Sequence, residues 1–178
     1  MRHWNQWADG TYSHVFIVPF RDGNVNGTPV DILEGERFDC PMKPMGGGEQ
    51  IGWSPDGKTL AYTCKKLFGK EYAVSTNSDI FLYDVTSMKT SNLSEGMEGY
   101  DTNPAFSPDG KQIIWLSMEN AGFEADRNRI IKYDFASKYK YELTSAFAYS
   151  IEKAAWCPDG NKIYFLSGID ATHQLLYF

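Results

Sequence analysis

A chain of 178 residues, 42% hydrophobic and 22% charged, can bury roughly two-thirds of its unfolded surface in one core and is too apolar for disorder. Its net charge of -6 supplies no basic stripe to neutralise phosphates, which excludes nucleic acid as a partner. No apolar run approaches the ~20 residues of a membrane helix, so no membrane partner is expected, and the opening residues lack the apolar segment of a signal peptide.

In chain order, the first predicted strands fall near His14–Phe20 and Pro29–Leu33, the end of one sheet followed by a linker. A corner then appears, Trp53-Ser54-Pro55-Asp56-Gly57, and returns about 50 residues later as Phe106-Ser107-Pro108-Asp109-Gly110 and again as Trp156-Cys157-Pro158-Asp159-Gly160. Each is an aromatic residue followed by x-Pro-Asp-Gly. Proline pre-sets φ at the second turn position and glycine is favoured at the fourth, so the pentapeptide predicts a strand end and a tight hairpin turn. After each corner comes a β-branched and aromatic strand: Thr59–Thr63, Gln112–Leu116 and Lys162–Leu166. A second strand follows as Asp79–Asp84, Arg129–Asp134 and, less completely, Gln174–Phe178. A further short strand ends in Asn92-Leu93-Ser94 or Glu142-Leu143-Thr144. No helical periodicity competes with this pattern.

Four short strands repeated at ~40–50 residues are the signature of propeller blades; a β-sandwich does not require the same corner at regular intervals. The expected fold is therefore all-β, a partial β-propeller of four-stranded antiparallel blades, about three in number. Its parts are residues 1–48 (the end of a blade plus linker), 49–98 and 99–147 (full blades) and 148–178 (an incomplete blade). Closed propellers have at least about four blades, so the strand count predicts an excised piece whose exposed blade faces drive homo-oligomer formation.

The corner, followed by an apolar strand and a strand of the Asp79-Ile80-Phe81-Leu82-Tyr83-Asp84 type, resembles the repeat of TolB-like proteins and prolyl oligopeptidases. More specific are Arg2-His3-Trp4 with Trp7, Ala73–Ile80, Gly99-Tyr100-Asp101-Thr102-Asn103-Pro104, and Ser117-Met118-Glu119 leading to Gly122–Arg127. These resemble the propeller of the dipeptidyl-peptidase V-like and acylaminoacyl-peptidase branch of prolyl oligopeptidase-family serine peptidases, chiefly bacterial members, and the resemblance spans nearly the whole chain. It implies a bacterial parent, periplasmic or cytoplasmic, whose propeller caps a C-terminal α/β-hydrolase domain and admits short peptides. The family's catalytic Ser, Asp and His lie in that second domain, so no catalytic residue is expected here. Gly52-Trp53-Ser54-Pro55-Asp56 has Asp where a nucleophile elbow needs its last glycine. The competing function is a stand-alone TolB-like module that binds a protein partner.

No cofactor or metal is expected. His3, His14 and His173 are spread over three repeats, and the repeated Asp residues of the corners and strand ends suit turn hydrogen bonding better than calcium. The cysteines Cys40, Cys64 and Cys157 have no zinc or disulfide spacing; Cys64 and Cys157 are expected as small buried hydrophobes and Cys40 in a loop. The connections between second and third strands, 67–77 and 120–128, are long, charged and aromatic, and loops on one rim are where propellers carry binding residues. The family holds a substrate's free N-terminus with propeller carboxylates. Glu119, Glu124 and Asp126 are the available acids, with Arg2, His3, Trp4 and Trp7 as an interface cluster, against the plainer reading of a solvated loop making interdomain ion pairs.

Overall fold

Three antiparallel sheets, laid down one after another, hold most of the strands in the computed structural model, which describes residues 10–178. Four two-residue strands precede them: β1 (Phe16–Ile17), β2 (Phe20–Arg21), β3 (Asn24–Val25) and β4 (Val30–Asp31), with β1 paired to β4 and β2 to β3. The first sheet runs β5 (Ile51–Trp53), β6 (Thr59–Cys64), β7 (Asp79–Asp84), β8 (Lys89–Asn92). The second runs β9 (Asp101–Phe106), β10 (Gln112–Ser117), β11 (Arg129–Asp134), β12 (Tyr139–Glu142). The third holds β13 (Ile151–Trp156), β14 (Ile163–Ile169) and β15 (Thr172–Tyr177). Spatial order equals chain order in every sheet, the up-and-down meander of a propeller blade.

The corners show why the same pentapeptide recurs. Gly57 donates its amide to the Ser54 carbonyl at 2.9 Å, and Gly110 and Gly160 do the same to Ser107 and Cys157. Each glycine has a positive φ near 70°, which a side chain would strain. The aspartate then ties the turn: Asp56 accepts from Ser54 Oγ (2.7 Å) and the Lys58 amide (3.1 Å), and Asp109 repeats both contacts. These bonds hold the Asp56 and Asp109 carboxyls below their ordinary range, the serine contact being the largest cause.

Alternation along the strands sorts side chains onto two faces, and the faces form three layers. Leu60, Tyr62, Cys64, Phe81 and Tyr83 lie under Ile32, Leu33 and Cys40. Ala61, Ile80 and Leu93 meet Ile113, Trp115 and Ile131 of the second sheet. The other face of that sheet, Ile114, Leu116 and Ile130, meets Ile151, Ile163 and Phe165 of the third.

Three details depart from the sequence reading. The strand expected over His14–Phe20 is split, because Pro19 has no amide to continue a ladder, and only Phe16 and Ile17 pair with β4. A short helix, α1 (Gly69–Val74), occupies the connection where no helix was expected. Cys157 is only half-buried at its corner, whereas Cys64 is fully buried in β6 and Cys40 lies outside any strand, both as expected.

Candidate functional site

Because each sheet is a meander, the x-Pro-Asp-Gly corners gather on one rim. The connections 65–78, 93–100, 118–128 and 143–150 gather on the other. Hydrogen bonds join these four into a continuous surface. The Gly122 amide donates to Thr76 Oγ1 at 3.0 Å, linking the long loops of the first two sheets. Ser78 donates to the Gly99 carbonyl at 3.3 Å and receives from the Asp101 amide at 3.1 Å. Arg127 Nη1 donates to the Thr144 carbonyl at 2.9 Å and also reaches that of Phe147.

Each acidic residue named from the sequence has a distinct place on this rim. Asp126 organises the loop: its Oδ2 accepts from the amides of Glu119 (2.9 Å) and Asn120 (2.8 Å) and from Asn120 Nδ2, while Oδ1 accepts from the Arg127 amide. Burial raises its pKa, but the amides of Asn120, Arg127 and Glu119 together outweigh it and leave the carboxyl below its usual range. Glu119 lies two residues past the end of β10 with its side chain 68% exposed, 3.3 Å from Arg129 Nη1. Glu124 is exposed and its charge favours the protonated form of Lys65. Burial is the larger influence on that lysine and lowers its pKa; it lies 4.4 Å from the Tyr72 ring centre and donates to the Ser75 carbonyl at 2.5 Å. Arg2, His3, Trp4 and Trp7 lie outside the described residues.

The sequence reading missed the cations of this surface. Arg129, only 11% exposed, bridges Glu119 and Glu142, and Arg127 pairs with Glu142 at 3.1 Å. A count of opposite charges across the loop and the strands flanking it could have found them. The arrangement leaves two exposed carboxylates, those of Glu119 and Glu124, above a base of paired arginines and backbone bonds. Such a surface can accept hydrogen bonds from a cation. Among the described residues no group of three or more His, Cys, Asp or Glu is placed to hold a metal.

No family model matches the chain. It is 45% identical over 174 residues, 98% of its length, to dipeptidyl-peptidase 5 of Porphyromonas gingivalis, covering 25% of that protein. The chain is a relative of the dipeptidyl-peptidase 5 proteins. It spans about a quarter of the length of the curated relatives it matches. Among solved structures, TolB from Acinetobacter baumannii superposes with a TM-score of 0.60 at 20% identity, over 92% of this chain and 34% of that one. A dipeptidyl aminopeptidase IV assigned in Bacteroides ovatus superposes with a TM-score of 0.57 at 16% identity, over 96% of this chain and 30% of that one. These likenesses show the fold: the three sheets are blades of a TolB-like β-propeller.

Proposed function

We propose that this chain is the non-catalytic propeller part of a dipeptidyl peptidase of the prolyl oligopeptidase type, gating and orienting short peptides for an α/β-hydrolase domain that supplies the nucleophile. The observation that carries this reading is the 45% identity to dipeptidyl-peptidase 5 across 98% of the chain, a span that takes in the acidic 118–128 loop. An exposed carboxylate next to a fixed backbone surface is what recognition of a peptide ammonium requires.

Two outcomes are expected. The purified 178-residue chain turns over neither chromogenic dipeptides nor acyl-amino acids, because an acyl transfer needs a nucleophile, a base and an oxyanion site together; turnover that co-purifies with the chain would refute this. In a peptidase polypeptide carrying this sequence, Glu119→Gln or Glu124→Gln raises KM for free-amine peptides over N-blocked ones by about ten- to a hundredfold, the scale of a charge-assisted hydrogen bond of ~1.5–3 kcal/mol. Asp126→Asn, by loosening the loop, affects both substrate classes alike. Equal effects of both Glu variants on blocked and free peptides would remove the ammonium role.

A further inference from the structure

The seam between the first two sheets holds a titratable group that the proposed function leaves unused. Asp101, at the start of β9, is fully buried; its Oδ1 accepts from the Trp115 indole, and its Oδ2 has no partner. The seam between the second and third sheets is built without such a group. Ile151 and Phe165 occupy there the ladder positions of Asp101 and Trp115, and both are buried and apolar. Packing at this place therefore needs no acid, and a half-satisfied buried carboxyl carries a cost that isoleucine avoids.

Three connections of the acidic rim are tied at this residue. From 65–78, Ser78 Oγ donates to the Asp101 carbonyl at 2.8 Å, and the Ser78 carbonyl accepts from the Asp101 amide. The 93–100 connection runs directly into it, and the Tyr100 carbonyl accepts from the amide of Met118, where the 118–128 connection starts. Ser117, opposite Asp101 in the ladder, donates its hydroxyl to the Met118 carbonyl at 3.2 Å. That hydroxyl and the one on Ser94 also act on the Asp101 carboxyl, favouring its ionised form.

No cation balances that form. Across the seam on β7 stands Asp79, whose charge opposes ionisation. On β11 the charged residue in the same row is Arg129, opposite Ser117, and its guanidinium is held by Glu119 and Glu142. Glu95 and Glu98 of the 93–100 connection are exposed. Among the described residues Asp101 has no ion pair.

We propose that Asp101 is a proton-operated pin for the acidic rim. While the carboxyl is protonated, Ser117 holds the Met118 carbonyl; once it ionises, the unpartnered Oδ2 takes the Ser117 hydroxyl and the 118–128 loop is released. Burial keeps the proton in place up to about pH 7, so the release falls near neutrality. The pin stands whether or not the rim binds peptide.

Amide hydrogen exchange of the 178-residue chain, corrected for the intrinsic pH dependence of exchange, reads the loop directly. The amides of Met118 and Gly122, which open locally, are expected to lose protection about tenfold between pH 6 and pH 8, the linkage of one proton. Those of Phe147 and Ile151, at the seam built on isoleucine, are expected to keep theirs. Asp101→Asn, neutral at every pH, should hold the loop protected at pH 8. Ser117→Ala lacks the hydroxyl that changes partners and should leave the loop poorly protected at both pH values. The proposal is overturned by equal protection of the loop at pH 6 and 8 in the unaltered chain, or by an equal loss at the Ile151 seam. A pH response that persists in either variant overturns it as well.

Discussion

Gly99→Ala is expected to destabilise the chain by about 3 kcal/mol or more, the upper part of the range for forced overpacking. The methyl group would run into the Met118 carbonyl, with its carbon and the Glu119 nitrogen also inside contact distance. All of these are backbone atoms, so no rotamer change relieves the clash. The site is also a seam: the Gly99 carbonyl accepts from Ser78, and Met118 donates to the Tyr100 carbonyl at 3.0 Å. Relief must therefore come from shifting the Gly99 backbone off its bond from Ser78 or displacing the start of the 118–128 loop, and either disturbs the acidic rim. At about 2–4 °C per kcal/mol for a chain of this size, the melting temperature should drop by roughly 6–12 °C, read by circular dichroism. Gly96→Ala is the control. It has open space around it but a φ of 85°, and should cost about 1 kcal/mol. A Gly99→Ala protein melting no lower than Gly96→Ala would show that the seam yields easily.

The repeat made much of the fold readable, because a turn that needs Pro, Asp and Gly in order announces itself wherever it occurs. The strands after each corner and the Asp79–Asp84 and Arg129–Asp134 strands lie where they were read, since β-branched and aromatic residues run together there and are buried on both faces of the sheet. The helix at Gly69–Val74 was not readable: six residues are fewer than two turns and present no apolar stripe. All six are exposed. Of the candidate site, the acids were visible and their partners were not. Arg129 and Glu142 are 13 residues apart, and only the hairpin between β11 and β12 brings them together. One signal was available in the repeat itself. Asp101 stands where the next repeat has Ile151, and both are fully buried.

That substitution of a carboxyl for an apolar side chain sets the last prediction. Asp101 accepts from Trp115 Nε1 at 3.0 Å through Oδ1, while its buried Oδ2 has no hydrogen-bond partner. Burial is the main cause that pushes its pKa up to about 7; the Ser117 and Ser94 hydroxyls and the Trp115 indole oppose this, and the nearby Asp79 charge adds to it. Asp79 itself accepts from Ser94 Oγ at 3.1 Å, so the two acids face one hydroxyl from adjacent sheets. With a folded pKa above the unfolded value of 3.8, the folded chain binds the proton more tightly. The extra stability is fully present below the unfolded value and is lost as pH rises through about 7. At ~1.4 kcal/mol per pH unit, the chain should gain on the order of 4 kcal/mol between neutral pH and pH 4. The depressed carboxyls Asp56, Asp84, Asp109, Asp126, Asp134 and Asp159 act in the opposite sense, but only as pH falls below the usual carboxylate range. The slope between pH 4 and 7 therefore belongs to Asp101. Asp101→Asn keeps an acceptor for Trp115 and carries no charge at any pH. It should flatten that slope and make the chain more stable than the unaltered one at pH 8, by chemical denaturation across the pH series. A slope unchanged in Asp101→Asn would mean that the buried carboxyl is not the group that titrates.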